Sequence, residues 1–196
     1  MSTVTTSRKS RKAPARARKP KTMEAFLRWD QPEGHYKYEW VDGTLEKSEY
    51  MMKNTERLIV YKINQAFAQT EAYQQGGTVL AETGIPVSET RVRIPDLAFF
   101  DKTQILDSAQ GKQPIPTFAI EIISPNESGF KIEQKALDYF GAGVQVLWQI
   151  YPEVNIVRIL TSPRDVQVCL EEDVCTAAPT IPDLRISVAE LFSETL

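Results

Sequence analysis

Sulfur and imidazole are scarce in this chain, whose 196 residues include 2 cysteines and 1 histidine. Cys169 and Cys175 lie close together near the C-terminus, so no disulfide framework is indicated and a reducing cytoplasm fits this usage. One histidine and two cysteines cannot supply the usual four ligands locally, which argues against a zinc site. No run of about 18 or more apolar residues is present to span a bilayer. The basic N-terminal stretch is not followed by the apolar segment of a secretory signal. These absences lead us to expect a soluble, cytoplasmic protein with no membrane partner. An apolar content of 42% is enough to bury one substantial core, so a single domain over 23–196 is expected behind an N-terminal tail, 1–22.

Acids are missing from residues 1–22, which hold eight bases: Arg8, Lys9, Arg11, Lys12, Arg16, Arg18, Lys19 and Lys21. The other 15 bases face all 26 acids, so the tail carries +8 and the body about −11. Ser, Thr, Ala and Pro make up most of the rest of the tail, a composition that buries too little apolar surface to order itself. It reads either as a phosphate-binding arm acting through counterion release or as a solvated extension that sits back on the acidic body.

The body alternates between helical and strand patterns. Thr22-Met23-Glu24-Ala25 before Phe26, Leu27 and Trp29 reads as a capped short helix. Tyr36 to Glu46 alternates around Asp42-Gly43, a hairpin signal. Residues 54–72 have helical spacing, closed by Gly76-Gly77. Strands are expected over 78–87 and 91–100, followed by a polar surface loop over 101–116. Thr117 to Ile123 is a nearly continuous apolar strand, of the kind buried on both faces. A helix over 128–142 is followed by strands near 144–150, 154–160 and 166–170 and a final helix over 188–192. This order predicts an α/β fold, a mixed and curved sheet flanked by helices.

Two acids interrupt apolar surroundings. Glu121, within Ile120-Glu121-Ile122-Ile123, needs a metal, a cation or a hydrogen-bond donor, since an unpaired buried carboxylate is costly; a buried salt bridge would also satisfy it. Asp96, in Arg93-Ile94-Pro95-Asp96-Leu97-Ala98-Phe99-Phe100, stands at the head of an apolar run, where an Asp often serves only as a turn residue. Lys131 and Lys135 share a helix face that is ordinarily solvated. Glu39, among aromatic neighbours, fits a solvent-facing or cross-strand role. His35, in a Gly-His loop, reads as structural, and Trp148 and Tyr151 as core and rim packing.

Several words occur together and in order: Tyr38-Glu39-Trp40-Val41-Asp42-Gly43, Ile94-Pro95-Asp96-Leu97-Ala98-Phe99, Ile120-Glu121-Ile122-Ile123-Ser124-Pro125-Asn126, Lys135-Ala136-Leu137-Asp138-Tyr139, Gly143-Val144 with Trp148, Ile181-Pro182-Asp183-Leu184 and Ala189-Glu190-Leu191-Phe192. Over residues 22–193 this pattern resembles the Uma endonuclease family (Uma-two), a branch of the PD-(D/E)XK, restriction-endonuclease-like superfamily. The resemblance implies a restriction-endonuclease-like core and a metal-dependent endonuclease acting on DNA. Asp96 and Glu121 would hold magnesium, or manganese, and Lys135 would assist the attacking water. Glu39 would be an added metal or water ligand, and Gln134 a weaker candidate by proximity.

Two departures from the family pattern stand out. Ile123 occupies the usual lysine position two residues after Glu121, which makes Lys135 a lysine moved to the following helix. The stretch Met52-Lys53-Asn54-Thr55-Glu56-Arg57 lacks a histidine that many relatives carry. The alternative is a catalytically inactive nucleic-acid-binding or assembly module that keeps the fold. A homodimer would place two active sites on a duplex.

Overall fold

Asp42 (φ 47°) and Gly43 (φ 82°) both adopt left-handed backbone, the geometry a two-residue type I′ hairpin requires. They join β1 (Tyr36–Val41) to β2 (Thr44–Glu49), paired antiparallel from Tyr36 opposite Glu49 to Val41 opposite Thr44. This computed structural model describes residues 19–32, 36–49 (Glu49 by its backbone alone) and 53–195. Residues 1–18 of the expected tail, His35, and Met52 at the site of the absent histidine lie outside the described residues. Before the hairpin, α1 (Met23–Leu27) starts at Thr22, whose side-chain oxygen accepts the Ala25 N–H at 3.1 Å. Its Phe26 packs with Tyr38, Trp40, Val92 and Ile94 in a small aromatic core.

After the hairpin come α2 (Asn54–Phe67), α3 (Glu71–Gln74), β3 (Thr78–Ala81), β4 (Ile85–Pro86), β5 (Arg91–Arg93) and β6 (Leu97–Phe100). They are followed by α4 (Lys102–Ala109), β7 (Phe118–Ile122), α5 (Gly129–Ala142), β8 (Val146–Tyr151), β9 (Ile156–Ser162) and β10 (Asp165–Cys169). The chain ends with β11 (Val174–Ala177), β12 (Ile181–Ser187) and α6 (Val188–Phe192). A six-stranded mixed sheet runs β10-β9-β8-β7-β6-β3, and a four-stranded sheet runs β2-β1-β5-β4. Within the larger sheet only β7 and β8 are parallel, joined by the crossover helix α5.

Strand alternation divides the core in two. Leu97, Phe99, Phe118, Ile120, Trp148 and Ile150 face α2, α6 and the β11-β12 hairpin. Ala98, Phe100, Ala119 and Leu147 face α5 through Ala136 and Tyr139. Glu121, two residues beyond Ala119, falls on the α5 side.

Each of the two strands expected over 78–100 is broken, and its halves enter different sheets. Glu82, at φ 50°, separates β3 from β4. Ile94-Pro95-Asp96 separates β5 from β6, where Pro95 has no N–H to extend a ladder. The expected loop over 101–116 instead contains α4. Its capping box is present: Asp101 accepts the Gln104 N–H at 2.8 Å and the Gln104 side chain accepts the Asp101 N–H at 3.0 Å. That reciprocal pair satisfies the orphan donors of the first turn despite the polar sequence. The 54–72 helix is two helices, with Thr70 capping the second by accepting the Tyr73 N–H at 3.2 Å. The sequence does not predict the pair β11-β12, strands of four and seven residues joined through Ala178-Pro179. Among the described residues, no helix is long and apolar enough to cross a membrane.

Candidate active site

The switch between sheets carries Asp96 to the open end of β7. Asp96 Oδ2 accepts the backbone N–H of Ile122, the residue after Glu121, at 2.6 Å. Its Oδ1 accepts from Lys37 Nζ at 2.7 Å. Lys37 lies two residues before Glu39 on β1, hence on the same face of that strand. Its charge is felt by both Asp96 and Glu121.

Glu121 receives two donors from α5. Lys135 Nζ donates to Oε2 at 3.0 Å and the Tyr139 hydroxyl to Oε1 at 2.5 Å. Lys135 and Tyr139 are one helical turn apart and therefore side by side. Lys135 also pairs with Glu127 at 3.1 Å. The face holding Lys131 and Lys135 is thus not uniformly solvated: Lys131 is exposed, whereas Lys135 retains only 9% of its surface. Helix periodicity alone missed this because the carboxylates that hold Lys135 come from β7 and from the turn before α5.

Electrostatics separate the two acids. Burial raises Glu121, but the ammoniums of Lys135 and Lys37 and the Tyr139 hydroxyl outweigh it and hold the carboxyl below its ordinary range. Burial also raises Asp96, and there it prevails over Lys37 and the Ile122 N–H. For both lysines burial works against the charged form, yet neighbouring carboxylates keep them above the ordinary lysine range. Burial, then the Glu121 charge, pushes the Tyr139 hydroxyl well up, so it acts as a donor.

Glu39 is buried, at 7% exposure, rather than facing solvent. Its Oε1 accepts the Ile94 N–H at 2.8 Å and its Oε2 accepts from Arg93 Nη1 at 3.2 Å. Arg93 Nε donates to Asp138 Oδ2 at 2.7 Å, and Asp138 Oδ1 accepts from Arg91 Nη1 at 2.7 Å and from Gln134 at 3.1 Å. Gln134 therefore serves the network beside the acids. The chain Glu39–Arg93–Asp138 ties the hairpin sheet to α5 at the level of Lys135.

Glu39, Asp96, Glu121 and Lys135 all line one cleft of about 580 Å³, together with Lys37, Lys47, Ser124, Asn126 and Lys131. The four candidates are thereby brought to a common space. Lys37, Arg93, Asp138 and Tyr139 were not singled out in the sequence, although each has a local signal. Lys37 shares strand parity with Glu39, Tyr139 and Asp138 lie within a turn of Lys135, and Arg93 lies three residues before Asp96. Trp148 is fully buried, and its indole N–H donates to the Thr176 carbonyl at 3.2 Å, consistent with a core role.

A hard divalent cation suits part of this donor set. Asp96 and Glu121 each accept two donors, while an ionised carboxylate offers about four lone-pair sites. Among the described residues, no group of three or more His, Cys, Asp or Glu side chains is arranged to hold a metal ion. Two carboxylates nonetheless fit magnesium, which keeps several waters and completes its shell with substrate phosphates. Glu39, held by Arg93 and Ile94, sits outside that pair.

The chain is similar over 88% of its length, at 22% identity and TM-score 0.72, to a crystal structure from Anabaena variabilis described as a putative nuclease belonging to DUF820, 98% of which is covered. That likeness shows the fold. None of the curated proteins matches. The sequence pattern of the Uma2 family, described as putative restriction endonuclease, matches residues 23–189, and on that match over most of its length the chain belongs to the Uma2 family.

Proposed function

We propose that this protein is a metal-dependent endonuclease that hydrolyses DNA phosphodiester bonds, with its active centre at Asp96, Glu121 and Lys135. The observation that carries the reading is the cleft itself. Two buried carboxylates line it, Glu121 on β7 and Asp96 in the link between β5 and β6, the latter bound to the backbone next to the former, with the Lys135 ammonium held on Glu121 at 3.0 Å. Family membership points the same way.

Asp96 and Glu121 would hold the cation, magnesium or manganese, which when bound polarises the scissile phosphodiester and lowers the pKa of an attacking water. The remaining work falls to the chain's own residues. Lys135, kept charged by Glu121, Glu39 and Glu127, orients the attacking water and offsets negative charge as it develops on the phosphate. Tyr139 fixes the rotamer of Glu121. Glu39 anchors the Ile94 N–H and so places Asp96 two residues later, and it would serve as an added metal or water ligand from the same cleft. DNA reaches the cleft past Lys131 at its margin, with the basic tail as a second phosphate contact.

Incubating supercoiled plasmid with the purified protein tests this reading. Nicking is expected with magnesium or manganese and none in excess chelator. No nicking under any of these conditions, together with salt-sensitive DNA binding, would identify the protein as a binding module that retains a nuclease fold.

A further inference from the structure

Lys37 lies outside the catalytic trio, yet it makes the shortest side-chain contact to either acid from a lysine: 2.7 Å to Asp96 Oδ1, with side-chain exposures of 10% and 9% for the pair. The buried centre thus holds two carboxylates, Asp96 and Glu121, and two ammoniums, Lys37 and Lys135, with Glu127 as a further carboxylate on Lys135. A divalent cation added to this set would leave an excess of positive charge in a site largely removed from water, where such charge is costly. The two donors to Asp96 differ in kind. The Ile122 N–H is fixed in β7, whereas Lys37 ends a flexible four-carbon stem that opens onto the cleft beside Lys47 and Ser48. Only the Oδ1 side of Asp96 can therefore be vacated without moving backbone.

We propose that Lys37 is a built-in counter-cation that occupies Asp96 and competes with the divalent cation for it. The inference rests on the metal-dependent reading of the site. Metal loading displaces the Lys37 ammonium from Oδ1 into the cleft, where an entering phosphodiester gives it a new anionic partner. Cation affinity is accordingly weak in the free protein and rises when phosphate is present.

The test is a calorimetric titration of Mn2+ alone into the full chain, without nucleic acid. Lys37→Gln removes the competing charge and is expected to bind Mn2+ about tenfold or more tightly than wild type, a conservative figure for deleting one positive charge beside a divalent one. Lys37→Arg keeps the charge and can grip Asp96 through two donors, so its affinity should match or fall below wild type; it also serves as the folded control if Lys37→Gln is unstable. Lys131→Gln, at the exposed margin of the same cleft, separates a local effect from a general one and should change affinity less than about twofold. Equal or weaker binding by Lys37→Gln, or a tighter Lys37→Arg, overturns the inference. If wild type nicks plasmid with Mn2+ but the Lys37 variants bind it alike, only the role of Lys37 is lost. If neither nicking nor binding occurs, the metal-dependent reading is lost with it.

Discussion

Asp138→Ala should destabilise the protein by about 3 kcal/mol, the lower end of the range for breaking a buried ion pair by removing one partner. Asp138 accepts from Arg91 and Arg93 at 2.7 Å each, and its side chain is 8% exposed against 5% for Arg93. The loss strands Arg93, whose guanidinium keeps Glu39 at 3.2 Å, while Arg91 is one-quarter exposed and keeps Asp42. Those retained partners set the estimate at the lower end. With a urea m-value of about 2–3 kcal/mol/M for a domain of this size, the unfolding midpoint should fall by roughly 1–1.5 M. Asp138→Asn, which preserves shape and one acceptor, should cost about half as much. The double variant Asp138→Ala/Arg93→Met should lose less than the sum of the singles, because the second change removes the stranded charge. A midpoint shift below about 0.4 M for Asp138→Ala, or strict additivity in the double variant, would show that this network does not fasten α5 to the hairpin sheet.

Three further outcomes are expected. Asp42 is held at about 2, first by its hydrogen bonds from Arg91 and Thr90; a lowered carboxyl contributes stability that is present above the ordinary value of 3.8 and lost as pH falls toward 2. Asp42→Asn, which preserves a left-handed turn residue, should therefore be less stable than wild type near neutrality, with the gap closing between those two values in an acid-unfolding series. Tyr139→Phe removes a buried donor to Glu121 and should cost about 2 kcal/mol in thermal or urea unfolding; no measurable change would mean that Glu121 is held by Lys135 alone. Deleting residues 1–22 should weaken DNA binding and flatten its salt dependence by up to about 0.9 for every phosphate that the tail neutralises, whereas an unchanged slope would rule out the arm.

Much of the fold was legible where one local rule dominates. Asp42-Gly43 revealed its hairpin because only a few residue types tolerate two positive φ values in succession. The last helix, Val188–Phe192, was readable from its spacing. Asp96 and Glu121 stood out because an acid in an apolar run needs a partner. The rest depended on contacts distant in sequence. Nothing between residues 91 and 100 says that the two halves belong to different sheets, although Pro95 marks the break. The burial of Lys135 is decided by Glu121 and Glu127, off its own helix. Lys37 finds Asp96 across 59 positions, and in isolation it is one more lysine in a polar-aromatic strand. The helix α4 has a local signal of its own, since Asp101 and Gln104 have capping-box spacing.

Asp96 and Glu121 are proposed to carry phosphodiester hydrolysis. The most direct test is single-turnover cleavage of a labelled DNA duplex with excess protein and magnesium or manganese, comparing wild type with Asp96→Asn and Glu121→Gln and measuring duplex binding alongside. We predict that each substitution slows cleavage by about 100-fold or more while binding persists. Cleavage by either variant at the wild-type rate would show that its carboxylate does not carry the reaction.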